Sequence, residues 1–389
     1  MLTPSESDGP STSAPPTSPH ALQPSDISAC GEELGTVLEE LVGWDASDRS
    51  CWEVMQFTNA LSNHVFCVSN TGRSSTSTST VRHVVVRVFG DTQPGRQGRL
   101  AENVVFHRLG AAGVGPLMLG IFENGRVEEF LEGWKPIDTR ELMVGYADGI
   151  AVALAQFHMR AEEALLGGDG DGDVGGRHDR AGIGVDIVED TLEGRLRRWR
   201  ASVVERMEAK GWSPESWVLA LLRVDLDEMV DEMRGSGWLR TVLHGDVQGL
   251  NILWKRDGRA PHAGIRFVDF EYLAVGPVAY DLANHFAEWS WAGSFDVLEF
   301  RCERLPTAAA RRRFVEVYLG ARGMRLCGGV TVDALLAQCD ACLRVSHYHW
   351  ALWGVLRAGE QGARFDYLEY GRQRFLALTT KAESAECCS

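Results

Sequence analysis

The stretch His244-Gly245-Asp246-Val247-Gln248-Gly249-Leu250-Asn251, followed further on by Val268-Asp269-Phe270, sets two carboxylates and an amide in the order that phosphoryl transfer calls for. Moving a phosphoryl group from a nucleoside triphosphate asks for little covalent help from the protein. It asks for a hydroxyl held in line and hard cations held against phosphate oxygens. Asp246 is the candidate to receive or orient the attacking hydroxyl, while Asn251 and Asp269 are the candidates to hold Mg2+. His244 is expected to brace the loop. The chemistry implied is that of an ATP-dependent small-molecule kinase. The competing reading is a pair of capped turns in which Asp and Asn bond their own backbone.

Three short apolar runs would position these groups. Thr241-Val242-Leu243 reads as a strand before the loop, Ile252-Leu253-Trp254 as one after it, and Ile265 to Val268 as one leading into Asp269. The carboxylates then fall on turns at strand ends. Protein kinases carry the same order in H-R-D-x-x-x-x-N and D-F-G, with Gly245 here in place of the arginine and Glu271 in place of the last glycine. Either half alone occurs by chance; joined between strands, the two are far more specific.

The chain of 389 residues, 44% hydrophobic, is long enough for one large core or two lobes. A formal charge of −15 argues against a nucleic-acid partner, and no apolar run is long enough for a transmembrane segment. Nine cysteines without C-x-x-C spacing point to free thiols and a cytoplasmic setting. Glu386 stands where a prenylation box needs cysteine, although Cys387 and Cys388 leave palmitoylation open. Residues 1–29, rich in Ser, Pro and Thr and lacking an apolar run, are expected to be a disordered tail.

Residues 30–133 read as an N-terminal nucleotide-binding lobe. Strand patterns at Val54 to Phe57, Val65 to Val68 and Val84 to Phe89 are followed by a helix over Arg99 to Leu109, then by two strands around Asn124-Gly125. Residues 134–381 read as a mainly helical catalytic and substrate lobe, and 382–389 as a flexible tail. Helical spacing runs from Leu142 to Phe157, Leu192 to Ala209, Ser216 to Met233 and Ala308 to Ala377. The insert from Gly167 imitates a calcium loop, but Val174 and Arg180 occupy the positions of its glycine and closing glutamate. It reads as a solvated loop.

With these motifs placed, the chain resembles the choline/ethanolamine kinase family, nearest to its plant-type choline kinases. The resemblance runs from about Phe57 to Phe375 and rests on His244 to Leu253, Phe267 to Tyr272, Tyr280 to Trp289, and Ser346 to Trp353. It implies an α+β, two-lobed protein-kinase-like fold of the aminoglycoside phosphotransferase/choline kinase type, with ATP and Mg2+ as cofactors and a small amino alcohol as substrate. It also implies that Arg87 reaches the ATP phosphates with Glu102 as its partner, that Ser62 and Asn63 lie on the nucleotide loop, and that Glu129 to Leu131 form the adenine-bonding hinge. Gln248 is carried over with the nucleotide-binding set. Arginine holds its charge at any pH and grips phosphate bidentately; the alternative is a strand arginine facing solvent.

Two departures stand out. Asn59-Ala60 replaces a Gly-Gly pair that would let backbone amides approach phosphate, and Gly245 replaces a common asparagine. Glycine there is usual in aminoglycoside phosphotransferases.

Trp350 and Trp353 lie about one helical turn apart and so share a face, with Phe365, Tyr367 and Tyr370 following. Such a cluster packs a core equally well, but a quaternary ammonium offers no hydrogen-bond donor and is held best by aromatic faces. The resemblance assigns these rings to a choline cage, with Tyr272 and Glu288 beside it, and gives Asp281 a bracing role; His285 reads as structural. The expected product is phosphocholine, on the route to phosphatidylcholine. The alternatives are an ethanolamine kinase and an aminoglycoside-type phosphotransferase, and a homodimer is admitted without being required.

Overall fold

In a computed structural model of the chain, the described residues are 14–57, 63–72, 79–90, 96–138, 140–167, 190–210, 214–255, 264–294, 297–323, 328–359 and 365–379. They fall into two compact units, the first reaching Trp134 and the second beginning at Lys135.

The first unit comprises α1 (Pro24–Ser28), α2 (Glu32–Val42), β1 (Trp52–Phe57), β2 (Asn63–Asn70), β3 (His83–Phe89), α3 (Arg96–Ala111), β4 (Met118–Phe122) and β5 (Gly125–Glu129). The strands form one antiparallel sheet in the order β1-β2-β3-β5-β4. Period-two alternation sorts β3: Val84, Val86 and Val88 join Phe66, Val68 and Val127 in a core that takes in Leu34, Leu38 and Trp44 around α2. Arg87 therefore belongs to the opposite face.

The expected tail is corrected here. From residue 16 the chain is docked, not free. Ile121 at the outer edge of β4 donates to the Pro16 carbonyl and accepts from Ser18 N–H, Asn124 clasps both backbone groups of Leu22, and Leu22 and Ile27 are wholly buried. An open sheet edge offers unpaired backbone groups, and an irregular polar segment satisfies them as well as a strand does. Residues 1–13 lie outside the described residues.

The second unit comprises β6 (Lys135–Pro136), α4 (Arg140–Gly145), α5 (Ala147–Leu165), α6 (Leu192–Lys210), α7 (Ser216–Leu222), α8 (Leu226–Met233), β7 (Arg240–Leu243), β8 (Ile252–Trp254), β9 (Ile265–Phe267), β10 (Ala274–Pro277), α9 (Val278–Glu288), β11 (Trp291–Ser294), β12 (Val297–Phe300), α10 (Ala308–Arg322), α11 (Val332–Arg357) and α12 (Tyr367–Thr379). Helix α9 is buried on all sides from Val278 to Ala287 and packs on α11, which also meets α6 and α12. The single helix expected from Ser216 to Met233 is two, because Asp225 turns its carboxylate onto Glu228 N–H and caps a new start. Among the described residues the six cysteines are free thiols, and no helix is long and apolar enough to cross a membrane.

Candidate active site

Pairing of β8 with β9 sets Ile252 opposite Phe267, so Asn251 and Val268 are the next residues along the two strands, and Val268 N–H donates to the Asn251 carbonyl at 3.0 Å. The hairpin thus delivers Asn251 and Asp269 from distant sequence to one end of a two-strand ladder. Asp269 sits at φ 67°, a left-handed conformation that non-glycine residues adopt at a cost. Asn251 Nδ2 donates to Asp246 Oδ2 at 2.8 Å and to the Asp246 carbonyl at 3.1 Å, leaving its side-chain oxygen as the atom it can offer a cation. Burial, with the carboxylates of Glu288, Asp269 and Glu271 around it, pushes Asp246 well above the usual carboxylate range.

The loop is braced from below by a directed hydrogen-bond chain. Arg322 donates to Tyr318 Oη at 3.3 Å and to Glu162, Tyr318 Oη–H to His158 Nδ1 at 2.7 Å, and His158 Nε2–H to Asp281 Oδ2 at 3.0 Å. Asp281, wholly buried, accepts from His244 N–H at 2.7 Å and Gly245 N–H at 3.0 Å. His244 then links the Asp246 loop to the Asp269 turn: its Nδ1 accepts from Asp246 N–H at 3.3 Å and its Nε2–H donates to the Val268 carbonyl at 3.1 Å. Those two roles need the neutral ring, and burial lowers the His244 pKa accordingly. His285 supports the loop from α9, donating Nδ1–H to the Val247 carbonyl at 3.1 Å while Nε2 accepts from Trp289 Nε1 at 3.2 Å. Gln248 begins the short turn containing Asn251, accepting Asn251 N–H at 3.0 Å through its carbonyl.

The aromatic residues gather in this same unit. Trp350, Trp353, Phe365 and Tyr367 form a buried cluster against which Trp199, Tyr272 and Tyr370 pack. Trp353 Nε1 donates to Tyr272 Oη at 2.8 Å, and Trp350 meets Tyr272 edge-on at 5.2 Å between centroids. Trp353 meets Tyr370 edge-on at 5.7 Å. Trp350 and Trp353 are only 4% and 9% exposed, while Trp199, Tyr272 and Tyr370 are half-buried. Two glycines set the spacing: a Cβ on Gly354 of α11 would lie 2.8 Å from the Gly371 Cα of α12 and 2.5 Å from the Tyr367 carbonyl oxygen. Only a backbone-to-backbone contact fits there.

Glu288, expected as a counter-charge for substrate, is paired within the protein. Its Oε1 binds Arg374, whose side chain is 0% exposed and whose Nε donates to Tyr370 Oη at 3.0 Å. Arg374 went unremarked in the sequence because a charge beside Phe375 on a helix reads as a solvated face. His158 had a signal, a lone histidine inside the apolar run of α5.

In the first unit, Arg87 lies directly across from Arg126 on β5. Both donate through Nε to the same Glu128 oxygen, at 2.7 and 2.8 Å, and Arg126 continues to Glu102 at 2.9 Å and Asn103 at 3.2 Å on α3. The Arg126 guanidinium lies 4.2 Å from the Phe106 ring centroid. Glu128 is thus the direct partner that the sequence reading gave to Glu102, and Glu102 takes Arg126. Burial raises the Glu128 pKa, but the two arginine charges overcome it and hold the carboxylate ionised below its usual range. Glu129 N–H is bonded to the Leu117 carbonyl and the Leu131 carbonyl to Trp134 N–H, so part of the expected hinge backbone is already engaged. Asn63 is buried and accepts from Gly90 N–H at 3.4 Å, whereas Ser62, Asn59 and Ala60 lie outside the described residues.

Known proteins resemble the chain over most of its length. A family model described as choline/ethanolamine kinase matches residues 54–379. "Probable choline kinase 1" of Arabidopsis thaliana is 28% identical over 364 residues, covering 92% of this chain and 93% of its own length. "Choline/ethanolamine kinase" of Rattus norvegicus is 26% identical over 366 residues, covering 89% and 83%. A solved choline kinase from Cryptosporidium parvum superposes with a TM-score of 0.68 at 20% identity, over 89% of this chain and 93% of that one. The fold is that of the protein-kinase-like phosphotransferases.

Proposed function

The chain belongs to the choline/ethanolamine kinase family, and from that membership we propose that it transfers the γ-phosphoryl group of ATP to the hydroxyl of choline, forming phosphocholine, with ethanolamine as the poorer substrate. The observation that carries the choline reading is the aromatic cluster of Tyr272, Trp350, Trp353 and Tyr370 in the same compact unit as Asp246. Asp246 orients the substrate hydroxyl and takes its proton. Its raised basicity suits that task, since a carboxylate that ionises reluctantly accepts a proton readily. Asn251 fixes the carboxylate through Oδ2, and the bracing from Asp281 and His244 keeps the loop from shifting during transfer.

The residues fit Mg2+. Carboxylates crowded enough to raise the Asp246 pKa are hard oxygen donors with an excess of negative charge, and Asn251 Oδ1 and the Asp269 carboxylate are the groups to hold the ion. Two such donors suit an ion that takes one or two protein ligands and completes its shell with phosphate and water. When bound, Mg2+ neutralises charge on the transferring phosphate oxygens. Arg87, held by Glu128, adds a fixed positive charge for phosphate.

The test is a substrate panel with Mg·ATP: choline, ethanolamine and a kanamycin-type aminoglycoside. The expected order of kcat/KM is choline, then ethanolamine, with no aminoglycoside turnover. A preference for ethanolamine overturns the choline assignment, and turnover of the aminoglycoside alone overturns the amino-alcohol reading.

A further inference from the structure

The amine site contains a cation of its own. Arg374 is 0% exposed, pairs with Glu288, which is 15% exposed, and donates to Tyr370 Oη at 3.0 Å. Its guanidinium carbon lies 4.8 Å from the Trp291 ring centroid and 5.2 Å from that of Tyr370. Trp291 in turn stacks on Tyr370 at 5.0 Å. Tyr370 packs on Trp353 at 5.7 Å, and Trp353 donates to Tyr272 Oη at 2.8 Å, so the Arg374–Glu288 pair borders the aromatic cluster.

We propose that Arg374 is a specificity-determining residue: by engaging the Glu288 carboxylate and Tyr370 it withdraws the charged, hydrogen-bonding partners a primary ammonium needs, leaving the rings of Tyr272, Trp350 and Trp353 to select a quaternary ammonium. This rests on the amino-alcohol kinase reading above. A primary ammonium is strongly hydrated and enters a dehydrated site only where acceptors replace its water. A trimethylammonium has no N–H to satisfy and is held by aromatic faces. An arginine suits the withdrawing role because its planar, weakly hydrated guanidinium stacks on rings and stays charged when buried. Glu288 bound to Arg374 is already compensated, so it presents little net charge to an incoming amine.

The experiment measures kcat/KM for choline and ethanolamine in wild type, Arg374→Met and Glu288→Gln, with a thermal melt of each. Arg374→Met is expected to lower the choline-to-ethanolamine ratio at least about fivefold, because ethanolamine gains a freed carboxylate. Glu288→Gln leaves an uncompensated guanidinium that repels both amines, so both values fall together and their ratio stays within about twofold. A folded Arg374→Met protein with an unmoved ratio overturns the inference. Where Arg374→Met does not fold, the second variant decides: a selective loss of ethanolamine of more than about fivefold in Glu288→Gln means that Glu288 meets the ammonium directly, and the inference is wrong. A wild type that turns over neither amine overturns the function proposed above and this inference with it.

Discussion

Gly245 and Tyr272 touch backbone to backbone: a Cβ on Gly245, at φ 83°, would lie 2.0 Å from the Tyr272 carbonyl oxygen. The same carbonyl accepts from Arg195 Nη1 at 2.6 Å, so it cannot yield freely. The loop that carries Asp246 and the segment that carries Tyr272 are therefore fitted together at a single glycine. This local fit accounts for glycine at the position, and its weight as a pointer to antibiotic substrates falls away.

Gly245→Ala should consequently destabilise the fold by more than the roughly 1–2 kcal/mol of a left-handed alanine alone. Gly237→Ala is the control, since Gly237 has φ 86° with open space around its Cβ position. Urea unfolding of both variants measures the difference. Equal losses would mean that the loop gives way easily.

Asp246→Asn should cut turnover by about two orders of magnitude or more, with the ATP KM little changed. It should also stabilise the metal-free protein at neutral pH. The folded pKa lies above the unfolded value, so the folded state binds the proton more tightly and stability falls as pH rises between the two. A melting temperature measured in chelator that drops on substitution would contradict this account.

Glu128→Gln removes the charge shared by Arg87 and Arg126, and breaking a buried ion pair from one side costs about 3–5 kcal/mol. If Glu128 also aims Arg87 at phosphate, the ATP KM rises while the choline KM does not. Glu102→Gln, one link further away, should move the ATP KM less. A larger effect at Glu102 than at Glu128 would restore Glu102 as the direct partner.

Acid should weaken the protein through a buried histidine. His285 is held neutral between the Val247 carbonyl and the Trp289 N–H, and burial lowers its pKa to about 4. The unfolded chain takes up the proton first, so the stabilising contribution is complete above about pH 6.5 and is lost as pH falls toward 4. The loss amounts to about 3 kcal/mol. Unfolding curves from pH 7.5 to 4.5 should show a shallower decline in His285→Asn than in wild type; identical slopes would rule His285 out as a source.

Removal of residues 1–29 should lower the melting temperature, because Leu22 and Ile27 are wholly buried and each such side chain contributes about 1.5–3 kcal/mol. Leu22→Ala should reproduce a large part of that effect. An unchanged melt in both would show the segment to be free in solution.

What could be read beforehand was local in sequence. That Asp246, Asn251 and Asp269 come together follows from motif spacing between short apolar strands, and the strands and long helices follow from periodicity. Trp350 and Trp353 share a face because of helical geometry. What escaped notice is held by contacts between distant segments. Residues 16–22 show no strand alternation, because β4 supplies the hydrogen bonds that order them. Arg87 and Arg374 look like surface charges until the partners, Glu128 on a neighbouring strand and Glu288 on another helix, are in place. No periodicity encodes such partnerships.

The glycine contact between α11 and α12 governs the spacing of the aromatic cluster. Because Gly354 and Gly371 meet main chain to main chain, the separation of Trp353 and Tyr370 is a property of the two helix axes rather than of the rings themselves. Exchanging one aromatic ring for another alters the cluster's surface but leaves the distance between the helices alone. A methyl group at either glycine would instead press the two axes apart, so the spacing of these rings answers to the main-chain contact rather than to the side chains that line it.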